Sequence, residues 1–205
     1  MMSDSSPRAT LDLWDYRRRV TDIYARVREM DPANGWAFWV SARDDLFRTH
    51  PQSPVQGRDS FTGIPYWPYD PGLRVAATVE PASPTVILLA HSGEGGTPAR
   101  SFGRASFRLG SIELSLVMYW LEDYGGGVFI PFGDTTNGNE TYGGGRYLID
   151  TAKGADLGHE RDQVILDFNF AYHPSCVHDV RWSCPLPPGE NRLLVAIQGG
   201  ERLGR

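Results

Sequence analysis

Lysine is almost missing from this 205-residue chain: nineteen of its twenty basic residues are arginine, and Lys153 is the only lysine. Mechanisms that form an imine, pyridoxal phosphate chemistry included, need a lysine amine. A residue held in the glycine-flanked turn AKGAD is a poor candidate for one. Cysteine is nearly as scarce, with Cys176 and Cys184 alone, and a cytosolic protein would keep such a pair as thiols. No apolar run approaches the roughly 18 residues of a membrane span. The opening MMSDSSPRAT lacks the apolar stretch of a secretory signal, so a cytoplasmic protein with no membrane partner is expected. Excess positive charge is lacking too. The formal net charge is -5, whereas phosphate-backbone binding wants a basic face, so no nucleic-acid partner is expected.

Familiar catalytic signatures are also absent. The chain has no G-x-S-x-G nucleophile elbow, no G-x-x-x-x-G-K-[ST] phosphate loop and no H-E-x-x-H helix. The SGEGG run at 92–96 lacks the glycine spacing and strand–helix context of a dinucleotide site. Hydrolase, nucleoside-triphosphatase and dehydrogenase readings fall together.

What is present begins with an arginine-rich segment. Leu13, Val20, Ile23, Tyr24, Val27 and Met30 follow the helical period, with Thr10 as the cap and Arg17 nearest the edge of the apolar stripe. Asp31-Pro32 and Asn34-Gly35 end this helix, and a second one packs through Trp36, Trp39, Val40 and Phe47 over about 36–47. The pair reads as a helical flank without chemistry of its own. From 50 to 71, five prolines among Phe61, Tyr66, Trp67 and Tyr69 rule out helix and most strand. Such a loop packs across the open end of a sheet.

The remainder reads as β-structure. Strands are expected near 73–79, 85–89, 101–109, 112–120, 128–132, 146–150, 164–168 and 193–197, with a tight hairpin at Gly110-Ser111. In the fourth of these, Ile112, Leu114, Leu116, Met118 and Trp120 share one face. Short glycine-rich connections make the sheet antiparallel. The fold class is therefore mainly β (α+β): a barrel-like or sandwich antiparallel sheet of about eight strands with two N-terminal helices. Residues 1–9 would be a disordered tail. A single domain would follow over 10–205: a helical hairpin at 10–48, a proline–aromatic loop at 49–72 and a β-core at 73–205.

Two stretches carry candidate chemistry. The first, DTTNGNETYGGGRY at 134–147, brings Asp134, Glu140, Tyr142, Arg146 and Tyr147 among glycines that let a ligand approach closely. That set suits an anionic or polyhydroxy ligand and proton transfer. The plainer alternative is a hairpin loop whose Asp134 and Thr135 satisfy local backbone groups. The second, LDFNFAYHPSCVHDVRWSCPLPPGEN at 166–191, puts Asp167 and Asn169 on one side of a strand end. They are either a buried anchor or half of an acid–base site. Further along it, Glu190 and Asn191 precede the last strand.

His173, Cys176, His178 and Cys184 form H-x2-C-x-H-x5-C, zinc ligands by type but at the spacing of no standard zinc module. The favoured function is a cofactor-independent enzyme on a small polar or anionic substrate, its site lying between the two stretches. Arg146 would hold the anion, with Asp134, Tyr147, Asn169 and Asn191 also binding substrate. Glu140, Asp167 or Glu190 would act as base, and Tyr142 or Tyr172 as proton donor. Two alternatives stand beside it. One is a non-catalytic module binding a small molecule or a protein, lined by Trp67, Tyr69 and Trp182. The other is a zinc protein built on the His/Cys cluster.

Across about 43–201 the chain resembles the bacterial and archaeal family known as domain of unknown function 1684. The likeness rests on RDDLFRTHPQSP, FTGIPYWPYDP, FIPFGDTTNGNETYGGGRY, LDFNFAYHPSCV, CPLPPGENRL and the late GGE, in that order. It implies a domain of about this length and brings no established activity. The family pattern usually places Asn at the position of His173 and an aromatic at that of His178, which weakens the zinc alternative.

Overall fold

The structure is a computed structural model and describes residues 6–122 and 124–204. Helix α1, Pro7–Val27, begins earlier than the sequence suggests. Ser6 is its cap, accepting a hydrogen bond from the Ala9 N–H at 3.2 Å, and Pro7 sits in the first turn, where a missing N–H costs nothing. Thr10 donates its hydroxyl back to the Ser6 carbonyl instead. Of the expected disordered tail, residues 1–5 lie outside the described residues and 7–9 are helical.

Helix α2, Pro32–Thr49, follows almost at once, and Asn34-Gly35 belongs to its first turn. Gly35 is where α1 and α2 meet: a Cβ there would stand 3.3 Å from Val27. The Asp31 side chain caps α2, accepting from the N–H groups of Ala33 and Asn34. Asp31→Ala is expected to lower the unfolding free energy by about 1 kcal/mol, measured by urea denaturation. An unchanged midpoint would show that tertiary packing alone fixes this helix end.

Eight strands follow: β1 (Arg74–Pro81), β2 (Val86–Ala90), β3 (Gly96–Leu109), β4 (Ile112–Leu121), β5 (Val128–Phe132), β6 (Arg146–Asp150), β7 (His159–Glu160) and β8 (Gln163–Asp167). Every pairing is antiparallel, in the order β6-β5-β4-β3-β1-β8-β7, with β2 added to β3. The curled sheet forms a half-barrel. The long strand β3 makes the bend: its first half, 96–100, pairs with β2, and 103–106 pairs with β1. Between them lies a bulge at Ser101/Gly103, which raises the local twist.

Both faces of the sheet are covered. Leu116 and Met118 of β4 enter a core with Phe107, Phe132 and Phe168, while Val117 and Tyr119 enter a second with Trp39, Tyr24 and Phe170 under the helices. The single apolar face expected of β4 therefore holds only in its middle, and Ile112 and Trp120 are exposed at its ends. The segment 193–197 is not a strand. Its backbone follows residues 133–135 after they leave β5, with Leu193 N–H donating to the Gly133 carbonyl at 2.8 Å, and no straight partner continues the ladder. The two-residue β7 takes its place in the count. The proline–aromatic loop packs across the sheet end: Tyr66 bridges to Glu201, and Asn169 clasps the Asp70 backbone through both its amide oxygen and nitrogen. Among the described residues no helix is long and apolar enough to cross a membrane.

Candidate functional site

The 134–147 loop leaves β5 and returns as β6, which carries Arg146 into the interior. There its guanidinium is fully committed as a clamp. Nη2 donates to Asp134 Oδ2 at 2.7 Å and to the Ile197 carbonyl at 2.8 Å, while Nη1 donates to the carbonyls of Gly199 and Glu201. The rings of Trp67 and Phe132 flank it. Asp134 in turn accepts from the Thr136 N–H and hydroxyl. Arg146 and the Asp134 side chain are wholly buried, so the arginine ties down the C-terminal segment and has no face left for a substrate anion.

Three further candidates are anchors of the same kind. Asp167 pairs with Arg74 at 3.2 Å and accepts twice from Asn169; burial pushes its carboxyl pKa up. Asn169 is spent on that carboxylate and on Asp70. Asn191 bonds Val117 N–H and C=O and the Pro131 carbonyl, pinning its turn against β4 and β5. Glu190 accepts from the Tyr119 hydroxyl. Glu140 is half-exposed and makes no ion pair with Arg146 among the described residues. The expected site therefore does not assemble around Arg146: its partners are backbone carbonyls that need a cation.

The tyrosines and histidines fare differently. Tyr142 donates its N–H to His173 Nε2 at 3.2 Å, which fixes the imidazole proton on Nδ1, 3.5 Å from Glu201 Oε2. Burial holds that histidine to about 4. The Tyr142 hydroxyl lies 3.9 Å from Cys176 Sγ. His178 packs its ring edge-on against Phe47. The four residues of the zinc alternative are not gathered, and among the described residues no three His, Cys, Asp or Glu side chains converge as metal ligands would. Of the residues expected to line a binding module, Trp67 covers Arg146, Tyr69 packs on Trp36, and Trp182 sits beside Arg181.

Two features escaped the sequence reading. The first is a buried ion pair between Arg43 of α2 and Glu201, 2.5 Å apart and 158 residues distant in the chain. Arg43 lies against the rings of Phe47, Tyr172 and Trp39. Burial works against its charge, and the Glu201 carboxylate more than offsets this, raising its pKa. Near it the hydroxyls of Tyr66 and Tyr172 are buried without a hydrogen-bond partner. The helices are thus not a chemically inert flank.

The second is a cavity of about 570 Å³ beside α1, lined by Arg17, Thr97, Tyr147, Asp150, Lys153 and Pro185, with Gly125 and Gly126 at its rim. The turn after β6 places Lys153 here, its Nζ 3.0 Å from Asp150 Oδ2 and over the ring of Tyr147. Protein surrounds this side chain, yet 48% of it stays accessible, as a cavity wall would be. Burial opposes its charge, but Asp150 outweighs burial and the pKa rises, so the amine is a cation rather than a nucleophile. Tyr147 donates its hydroxyl to the Pro185 carbonyl at 2.6 Å. Each of the two predicted stretches contributes one residue to this cavity, Tyr147 and Pro185. From Tyr147 the rings of Tyr172 and then Arg43 continue inward to Glu201 and His173.

A family model described as "Protein of unknown function (DUF1684)" matches residues 59–202. The chain belongs to the DUF1684 family. A DUF1684-like solved structure is an uncharacterized protein of Haloarcula marismortui, determined by solution NMR. It is 36% identical with a TM-score of 0.59, over 80% of this chain and 90% of that one. No curated protein matches. Family membership agrees with the fold described above and assigns no activity.

Proposed function

We propose that the protein binds a small anionic molecule in the cavity beside α1, held by Lys153 and Arg17. The supporting observation is the charge of the lining. Arg17 and Lys153 supply two cations and Asp150 one anion, so the cavity is net positive by one charge in a chain of net -5. Arg17 has no ion pair among the described residues, so its charge is uncommitted. A carboxylate or phosphate group would take the open side of the Lys153 ammonium, with the Tyr147 ring as an apolar floor.

Turnover of that ligand is the second reading, favoured by the row of polar groups behind the floor. Two unpartnered buried hydroxyls beside an Arg–Glu pair and a neutral histidine are what proton movement would use. In this reading Tyr172 keeps the proton-donor role the sequence suggests, while the base passes from Glu140, Asp167 and Glu190 to the Glu201–His173 pair.

Calorimetric titration with simple carboxylates and inorganic phosphate tests the binding. Lys153→Gln is expected to weaken the best binder by about tenfold, the effect of losing one charged contact of about 1.4 kcal/mol. Lys153→Arg, which keeps the charge, should recover most of it. Equal affinity in Lys153→Gln, or no binding by wild type at millimolar anion, would sink the proposal. Product formation followed by NMR on any bound anion separates enzyme from binder.

A further inference from the structure

We infer that Cys176 and Cys184 are a peroxide-oxidisable dithiol that closes to an intramolecular disulfide, with Cys176 attacking and Cys184 resolving. The inference does not depend on what the cavity binds. Both cysteines are free thiols, and their side chains hydrogen-bond each other. A disulfide wants Cβ atoms about 3.8 Å apart, a separation that thiols already in contact reach by small rotations.

Their surroundings divide the roles. Cys176 is half-buried on a 3-10 turn, Ser175–Val177, with the Tyr142 hydroxyl 3.9 Å from its sulfur. Cys184 is buried, and its backbone is fixed to the sheet edge: its N–H donates to Ser92 Oγ at 3.1 Å, and its carbonyl accepts from the Ser92 N–H at 2.9 Å. The loop between them is exposed at Val180, so Cys176 can adjust toward a fixed partner without disturbing the core. Hydrogen bonding from the Cys184 thiol holds Cys176 down to about 6, while the same contact and burial raise Cys184. Near neutral pH the first is a thiolate and the second keeps its proton, the division an attacking and a resolving cysteine need.

The chemistry balances with hydrogen peroxide as oxidant. The Cys176 thiolate attacks one peroxide oxygen; the S–O bond forms, the O–O bond breaks, and the leaving hydroxide takes a proton to become water. Cys184 sulfur then attacks the sulfenic sulfur. The S–S bond forms, the S–O bond breaks, and the departing hydroxide takes the Cys184 proton as a second water. Two thiols lose two electrons, and one peroxide is reduced to two waters. The new bond would bear on the cavity wall directly, because Pro185, next to Cys184, accepts the Tyr147 hydroxyl.

The test uses the full chain, treated with a small molar excess of hydrogen peroxide, quenched with N-ethylmaleimide and weighed intact under denaturing conditions. The expected product is a monomer lighter by two hydrogens with no maleimide adduct, regaining two adducts after dithiothreitol. A non-reducing digest should join the peptides holding Cys176 and Cys184. Cys184→Ser should stop at a Cys176 sulfenic acid that dimedone captures. Two alkylatable thiols after treatment, a Cys176 sulfinic acid without cross-link, or disulfide found only between chains would overturn the inference. Each is read on the wild-type protein, so the outcome stands even if the variant fails to fold.

Discussion

Asp134→Ala is expected to lower the unfolding free energy by about 4 kcal/mol, the cost of leaving a buried cation without its partner. Asp134 is the only carboxylate bonded to Arg146, and neither side chain has any exposed surface. Burial already pulls the arginine pKa down, with Asp134 the largest influence opposing it. Removing that charge leaves a guanidinium whose remaining bonds are to carbonyl dipoles alone. Asp134→Asn, which keeps an acceptor but drops the charge, should fall between wild type and Ala. Because the carbonyls of Ile197, Gly199 and Glu201 hang on the same guanidinium, amide exchange across 197–201 should quicken more than across β3 and β4. Urea denaturation and hydrogen exchange read both effects. A loss below about 1 kcal/mol would mean that the pair contributes little beyond its own desolvation.

That clamp also shows what a sequence can and cannot disclose. Arg146 among glycines and tyrosines has the composition of a ligand site, and residue types alone cannot show that four main-chain and side-chain acceptors already surround it. The strands were legible because alternation and turn residues are local. The segment 193–197 carries strand-like residues, but a strand needs a straight neighbour, and the chain beside it at 133–135 is turning. Lys153 was discounted for its glycine-flanked turn. That turn is what delivers it to the cavity: Gly154 sits at φ +73°, and a Cβ there would come within 2.2 Å of Thr21 on α1. Arg43 and Glu201 carry no mutual signal at all, since their meeting depends on how α2 lies over the finished sheet. Scarcity was the one clue in reach, for the only lysine and the two cysteines all fall near this region.

Acidification is expected to destabilise the protein steeply between pH 6.5 and 4, with His173 responsible for about 3 kcal/mol of the loss. Its ring is buried and neutral, with a folded pKa of about 4 against 6.5 in the open chain. Above pH 6.5 the imidazole is neutral in both states and contributes no slope. As pH falls below 6.5 the unfolded chain takes up a proton that the folded protein refuses, so unfolding gains; below about 4 both forms are protonated and the loss levels off. His178, also lowered by burial, adds in the same direction. Asp44 and Asp167, whose carboxyls burial raises, oppose it. Comparison with His173→Asn isolates the one residue. The asparagine amide nitrogen reaches roughly where Nδ1 lies, keeping the approach to Glu201 while giving up the bond from Tyr142 N–H. The variant should start less stable at pH 7 and then lose less on acidification, so its stability curve converges on wild type near pH 4. Parallel curves would show that the histidine is not the titrating group. Convergence would mean that protonating His173 sets a second cation beside the Arg43–Glu201 pair, drawing the Glu201 carboxylate between two partners at the inner end of the polar row.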